Sequence, residues 1–179
     1  FRFDLMGIFH RSEVKRWAEY LNNKYSGRNL LIYGEPWNGG SDPAADLKVR
    51  KGNVHELVEQ EVGVFNDGIR NGIRGNMNNA GGGFIFNQGS ADAVKIGVKG
   101  SIANKTPHDP WANEFTYDPV QTINYMSAHD NLCIGDKILA DGFTIKEGSG
   151  EAAEEINKLG MGILLTSQGV PFMHGGDEI

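Results

Sequence analysis

The sequence predicts an α/β protein with a parallel sheet, and more narrowly the C-terminal part, about five of eight strands, of a (β/α)8 TIM barrel. Short apolar segments alternate with amphipathic ones along the 179 residues, which is the pattern of β–α–β crossovers. Polar side chains follow the C-terminal ends of the predicted strands, where such a barrel builds its site. No G-x-G-x-x-G turn follows a predicted strand, which argues against an open doubly wound sheet.

Five strands are predicted, each an apolar run that leads into polar or glycine-bearing sequence. They are residues 1–6, 29–33, 62–65, 122–127 and 170–174. Five strands fall short of eight, and both ends of the chain look like strand rather than mobile polar terminus. We therefore expect residues 1–179 to be one partial barrel domain, truncated at both ends.

Helices are predicted between the strands. Residues 13–23 carry apolar side chains at the i, i+3, i+4, i+7 spacing of an amphipathic helix, with Ser12 as its cap; these are Val14, Trp17, Ala18 and Leu21. Residues 151–166 form the second long helix, and residues 54–61 and 91–98 form shorter ones. Residues 99–119, with Pro107 and Pro110, are predicted to be an irregular loop.

Composition excludes several classes of function. With 17 basic and 23 acidic side chains and a pI near 5.3, the chain has no basic character suited to nucleic acid. One cysteine excludes an internal disulfide and a cysteine-based zinc site, and the histidines lack metal-ligand spacing. No apolar run approaches the roughly 20 residues of a membrane span. We expect no metal, no cofactor and no membrane segment, and the sequence assigns no compartment.

Three carboxylates stand at the ends of apolar runs: Asp4, Glu35 and Asp130. Adjacent strand ends, about 4.8 Å apart, can place two carboxyl groups at the roughly 5–5.5 Å that glycosidic cleavage with retention requires. Arg2 lies two residues before Asp4, so both point to the same side of a strand and the guanidinium would keep Asp4 ionised and oriented. The ordinary alternative is that these acids cap helices or pair with surface bases. Three acids at strand ends, one beside Arg2 and one beside His129, favour the catalytic interpretation.

Three segments carry a family resemblance: FRFDLMG at residues 1–7, YGEPW at 33–37 and SAHDN at 127–131. They resemble signature segments of the α-amylase superfamily of glycoside hydrolases, and their order and wording are most similar to type I pullulanases, the starch-debranching enzymes. Further stretches resemble the same subfamily, so the resemblance covers nearly the whole chain. These are residues 65–70, 90–101, 112–131 and 165–172.

The resemblance implies roles for individual residues. Asp4 would be the nucleophile, Glu35 the general acid/base, and Asp130 a third carboxylate that binds sugar hydroxyls as the ring flattens. Trp37 would offer a flat apolar face to a sugar ring. The substrate-binding set implied in this way is Arg2, Leu5, Trp37, His129 and Asn131. The implied activity is retaining hydrolysis of α-1,6 branch links in pullulan, amylopectin or related α-glucans, with the polysaccharide as the partner.

Two alternatives stay open. An isoamylase, a glycogen-debranching enzyme or an α-amylase-type hydrolase would use the same three carboxylates. A non-catalytic carbohydrate-binding relative is the second, and the presence of all three acids weighs against it. Calcium sites occur in the superfamily, but this sequence has no EF-hand-like loop of oxygen ligands.

The sequence also departs from the superfamily pattern. The superfamily's Asp-x-x-x-Asn-His segment is absent, and Cys133-Ile134-Gly135 stands where relatives carry a more polar and aromatic run. Because a partial barrel leaves sheet edges unpaired, we expect the isolated chain to be poorly stable or inactive.

Overall fold

The computed structural model describes residues 1–41, 43–77, 82–109, 111–140 and 150–178. It has two compact units, each assembled from two stretches of the chain. The first unit comprises Phe1–Phe65 and Gly100–Ile123, and the second comprises Asn66–Lys99 and Asn124–Ile179. The α/β class predicted from the sequence is confirmed.

The described part of the chain contains five short strands. They are β1 (Arg2–Phe3), β2 (Ile32–Gly34), β3 (Val62–Phe65), β4 (Thr122–Tyr125) and β5 (Val170–Phe172). In the first unit, β1 pairs with β2, β2 with β3 and β3 with β4, always in parallel. The strand β4 continues into the second unit, where β5 follows it in the strand order. Both β3 and β4 are buried along their whole length, as strands of a covered parallel sheet are.

Five α-helices and several 3₁₀ segments connect the strands in the described part. The helices are α1 (Arg11–Lys24), α2 (Asp67–Arg74), α3 (Ala91–Val98), α4 (Ile134–Ala140) and α5 (Gly150–Thr166). The 3₁₀ segments are Met6–Ile8, Ala45–Leu47, Lys51–Gln60, Phe84–Phe86 and Pro119–Gln121.

Several sequence-based expectations require correction. Ser12 does not cap α1, because the helix begins at Arg11 and its cap residue His10 makes no side-chain capping bond. The first strand ends at Phe3 rather than at residue 6, since Leu5 turns into the left-handed region. Residues predicted as an α-helix over 54–61 form the 3₁₀ segment Lys51–Gln60 instead.

Two helices, α2 and α4, were missed where polar residues follow strands. The capping residue of α2 is Asn66, whose Oδ1 accepts from Ile69 N at 3.2 Å, so the polar pair after β3 begins a helix. The loop predicted over residues 99–119 is confirmed where it is described: it carries one bridge, between Ile102 and Thr116, before the 3₁₀ turn. Pro110 lies outside the described residues.

The first unit is built on a core that joins α1 to the sheet. Its buried side chains are Met6, Val14, Ala18, Ile32, Val49, Val54, Leu57, Val62, Val64 and Phe115. Trp17 packs against this core as the helical spacing predicted, with its ring stacked on Phe3 at 5.9 Å and edge-on to Phe9 at 5.0 Å. Through these contacts α1 packs against the end of β1.

The second unit has a separate core, formed mainly by α2, α3, α4 and α5. Its buried side chains are Ile69, Ile73, Ile85, Phe86, Val94, Met126, Ile134, Ile138 and Leu164. Helix α3 approaches α2 closely at Gly97, where an added Cβ would lie 2.5 Å from Ile69 Cγ1. Among the helices that the structure describes, none is long and apolar enough to cross a bilayer.

Candidate active site

Asp4 and Glu35 come together because β1 and β2 end side by side. Glu35 N donates to Phe3 O at 3.1 Å, which is the last contact of the ladder. Leu5, two residues after Phe3, then adopts a left-handed conformation (φ 44°, ψ 44°), and its N–H donates to Glu35 Oε2 at 2.8 Å. The turn after β1 is therefore attached to the carboxylate that follows β2.

One guanidinium bridges the two acids. Arg2 Nη1 donates to Asp4 Oδ1 at 2.9 Å, and Arg2 Nη2 donates to Glu35 Oε1 at 2.6 Å. The guanidinium carbon also lies 5.7 Å from the centre of the Phe65 ring on β3. Charge-assisted bonds of this kind are short and directional. Arg2 thus fixes both carboxylates against the sheet.

The two acids occupy different environments. The side chain of Glu35 is 4% exposed and that of Asp4 is 58% exposed. Oxygen atoms of the two carboxylates lie within 4.8 Å of each other. A separation of roughly 5–5.5 Å between carboxyl groups leaves room for a sugar carbon but not for an intervening water, as in retaining glycosidases. An exposed acid that can attack and a buried acid beside it suit that chemistry.

Leu5 and Trp37 belong to the same corner of the first unit. The side chain of Leu5 is half-buried and reaches the loop after β2, since its Cδ1 lies 3.9 Å from the position of a Cβ on Gly39. Trp37 is half-buried in that loop, and its carbonyl packs on Gly7. Both residues therefore lie on the two segments that carry Asp4 and Glu35.

The second unit holds the other three predicted site residues, directly after β4. His129 Nε2 lies 3.4 Å from Asp130 Oδ1, and both side chains are more than half exposed. Asn131 adopts a positive φ of 65° and is exposed. That these residues serve one site together with Asp4 and Glu35 stays a prediction.

The segment that carries His129–Asn131 is fixed by a buried arginine that the sequence analysis missed. Arg74 of α2 donates through Nη1 to Met126 O at 2.7 Å and to Leu132 O at 2.6 Å, at the two ends of the segment. Burial and the neighbouring Arg70 lower the pKa of this guanidinium. These contacts join residues more than 50 positions apart, and no local pattern could indicate them.

Arg50 is a second residue that the sequence did not single out. Its Nη1 donates to Gly7 O at 2.6 Å, and Gly7 N donates to Glu35 O at 2.9 Å. Its sequence neighbours Lys48, Val49 and Lys51 give no local signal of this role, because the contact joins residues 43 positions apart.

Comparisons with known proteins identify the relatives of this chain. No family model matches the sequence. The pullulanase of Bacillus subtilis (strain 168) is 32% identical over 99% of this chain and 23% of its own length. The solved pullulanase from Bacillus acidopullulyticus is 37% identical, with a TM-score of 0.81 over 99% of this chain and 20% of that protein.

A third match is the type I pullulanase of Bacillus subtilis str. 168 solved in complex with maltose. It is 30% identical, with a TM-score of 0.83 over 99% of this chain and 24% of that protein. The resemblance to type I pullulanases is therefore confirmed along nearly the whole chain. The chain spans a quarter or less of the length of these relatives.

Proposed function

We propose that this chain, which matches one segment of type I pullulanases, is part of the (β/α)8 catalytic domain of a retaining glycoside hydrolase that cleaves α-1,6 links in branched α-glucans. The observation that carries the proposal is the Asp4–Arg2–Glu35 arrangement, with two carboxylates within 4.8 Å on adjacent strand ends and one guanidinium between them. The comparisons support the choice of α-glucan as substrate, because the matched proteins are pullulanases.

The chemistry follows from the two environments. The Asp4 carboxylate attacks the anomeric carbon, and the bond to the glucosidic oxygen breaks as Glu35 gives that oxygen a proton. A glycosyl ester on Asp4 results. Glu35, now ionised, takes a proton from water, whose oxygen attacks the anomeric carbon and releases Asp4. Two inversions leave the new reducing end in the α configuration.

The donors around Glu35 impose a condition on the first step. Arg2 Nη2 and Leu5 N donate to different oxygens of this carboxylate. A protonated Glu35 must point its hydrogen at the glucosidic oxygen. Each oxygen accepts one of these bonds and keeps a second lone-pair site, so the proton has to occupy a site that neither Arg2 nor Leu5 fills.

The remaining assigned residues would bind the sugar. We assign Asp130, His129 and Asn131 to the hydroxyls of the ring at the cleavage point, and Trp37 and Leu5 to its apolar faces. Solved relatives support an α-glucan ligand, because a pullulanase from Paenibacillus barengoltzii is described in complex with maltohexaose and α-cyclodextrin. None of these steps uses a metal, and we expect a chelator to leave the rate unchanged.

The test uses the full-length protein with pullulan and, separately, linear amylose. Release of maltotriose with α-configured new ends from pullulan, and little release from amylose, is expected. Asp4→Asn and Glu35→Gln should each lower kcat by several orders of magnitude, whereas Glu13→Gln, at a half-exposed acid on α1, should leave kcat unchanged.

Other outcomes would redirect or remove the proposal. Cleavage of amylose alone would replace the debranching specificity by an α-amylase type with the same acids. Wild-type rates in Asp4→Asn would remove Asp4 from the nucleophile role. Binding of pullulan without any hydrolysis would leave a carbohydrate-binding protein.

A further inference from the structure

Arg50 joins the connection after β2 to the turn that carries Asp4. It lies between the 3₁₀ segments Ala45–Leu47 and Lys51–Gln60. Its Nη1 donates to Gly7 O at 2.6 Å and to its own neighbour Val49 O at 2.8 Å. A guanidinium bond to a carbonyl is charge-assisted, so it is stronger than an ordinary backbone hydrogen bond.

Gly7 is held from three sides at this point. Its N–H donates to Glu35 O at 2.9 Å, and its carbonyl accepts from Arg50. An added Cβ would lie 2.5 Å from Trp37 O and 2.7 Å from Arg50 Nη1. The close approach leaves no room for a side chain, and any movement of Arg50 changes the packing between the two acid-bearing segments.

Arg50 is itself fixed by its surroundings. Its backbone N–H donates to Asn53 Oδ1 at 2.8 Å, and Asn53 Nδ2 donates to Lys48 O at 2.8 Å. The backbone of Arg50 is therefore held by Asn53, and its side chain is held by the carbonyls of Gly7 and Val49. Because Arg50 is fixed in this way, it can hold Gly7 in place.

We propose that Arg50 is a positioning residue that sets the placement of Asp4 relative to Glu35 by holding Gly7 against the end of β2. This inference rests on the proposed function of those two acids. Catalysis with a covalent intermediate depends on the placement of both carboxyl groups, and a misplacement of about 1 Å costs on the order of 100-fold in rate. Arg50 acts through Gly7 and is not itself in the role of a nucleophile or an acid.

A cavity lined mainly by charged and polar side chains gives access to Arg50. It has a volume of about 360 Å³, and Arg50 lines it together with Arg11, Asp46, Asn53, Glu56 and His108. Arg11 is fixed in this wall by Glu56 at 3.0 Å and by the carbonyl of Asp46. A small planar cation from solution could therefore reach the space that a truncated Arg50 leaves.

The kinetic test uses the full-length protein and pullulan. Arg50→Met should lower kcat by about 10- to 100-fold and leave KM within roughly two-fold, because ground-state contacts to the sugar are kept. Arg50→Lys, which keeps one charged donor, should fall between Arg50→Met and wild type. Guanidinium ion should raise kcat of Arg50→Ala but not of Arg50→Met, whose side chain fills the space. Arg16→Met, at an exposed arginine on α1, should resemble wild type.

A second measurement does not depend on activity. Hydrogen exchange in the peptide that spans residues 4–9 should be faster in Arg50→Met than in wild type or Arg16→Met. Unchanged exchange would overturn the inference. So would faster exchange with unchanged kcat, or a loss that appears only in KM. A wild-type protein inactive on every α-glucan would instead remove the proposed function, and the exchange result would still decide whether Arg50 holds the turn.

Discussion

At the scale of single residues, Arg2 determines how the two proposed catalytic acids stand to each other. It pairs with an exposed aspartate and with a buried glutamate through separate nitrogens of one planar group. Lysine is a point charge and cannot reproduce two divergent bonds with fixed geometry. The contact of Arg2 with Asp4 was predictable from the sequence, because the two residues are two positions apart on one predicted strand. The contact of Arg2 with Glu35 was not predictable, because the two residues are 33 positions apart.

Arg2→Met should therefore reduce both activity and stability. We expect kcat on pullulan to fall by about 100-fold, since both acids lose their common anchor. The free energy of unfolding should fall by about 2 kcal/mol, because Glu35 keeps its burial but loses a charge-assisted bond. Steady-state kinetics and chemical denaturation of the full-length protein measure the two effects. Equal kcat values in wild type and Arg2→Met would contradict the anchoring role.

His55 predicts a pH dependence of stability. It is buried, its ring lies 4.8 Å from that of Tyr117, and burial lowers its pKa below 6.5, an effect opposed by Glu56 and assisted by His108 and Arg11. At this site the unfolded chain then binds a proton more readily than the folded one. The contribution of neutral His55 to the free energy of unfolding is therefore complete above about pH 6.5, and it is lost as the pH falls toward the lowered pKa of the folded state.

The measurement is the melting temperature of the full-length protein, as wild type and as His55→Phe, between pH 7.5 and pH 5. His55→Phe should lose less stability on acidification than wild type, because phenylalanine at this position cannot bind a proton. His174→Gln is the matched control and should keep the wild-type slope. An identical slope in His55→Phe would assign the acid sensitivity to other groups.

At the scale of elements, two helical glycines make a matched pair. Gly97 of α3 faces α2 with no room for a Cβ, whereas no atom of the described residues lies within 4 Å of a Cβ on Gly162 of α5. Gly97→Ala should cost about 1–3 kcal/mol through overpacking, despite a better helix propensity. Gly162→Ala should stabilise by about 0.5–1 kcal/mol. Denaturation curves of the two variants test this, and equal shifts would show that α2 can move away from α3 freely.

Elements with a complete local signal were predictable from the sequence. The bounds of β3 and α3 agree with the prediction residue for residue, since β3 is an apolar run with clear limits and α3 begins directly after its cap Ser90. Helix α2 was missed because its cap Asn66 looked like the polar end of a strand. The end of β1 was misplaced because a bond from Leu5 to Glu35, which is not local, stops the ladder.

At the scale of the whole molecule, the isolated chain is expected to be a poor folder. In the strand order of the described residues, β1 and β5 are the outer strands, and an open edge favours association. The purified 179-residue chain should elute as mixed oligomers in size-exclusion chromatography and melt without a sharp transition. A monomer with a cooperative melt and activity on pullulan would contradict this. The full-length protein is the control.

The interleaving of the two units has a consequence for biosynthesis. The first unit closes only when Thr122 pairs with Val64 and the side chain of Gln121 reaches Val54 O at 2.7 Å. A ribosome makes Asp4 and Glu35 well before it reaches Ile123, and the unit that holds the two acids can be completed only after the chain has run past Ile123. Contacts between residues this distant along the chain form slowly. During translation, the edge of β3 that later pairs with β4 therefore stays unpaired. Nascent chains paused before residue 122 should therefore be the species that needs a chaperone.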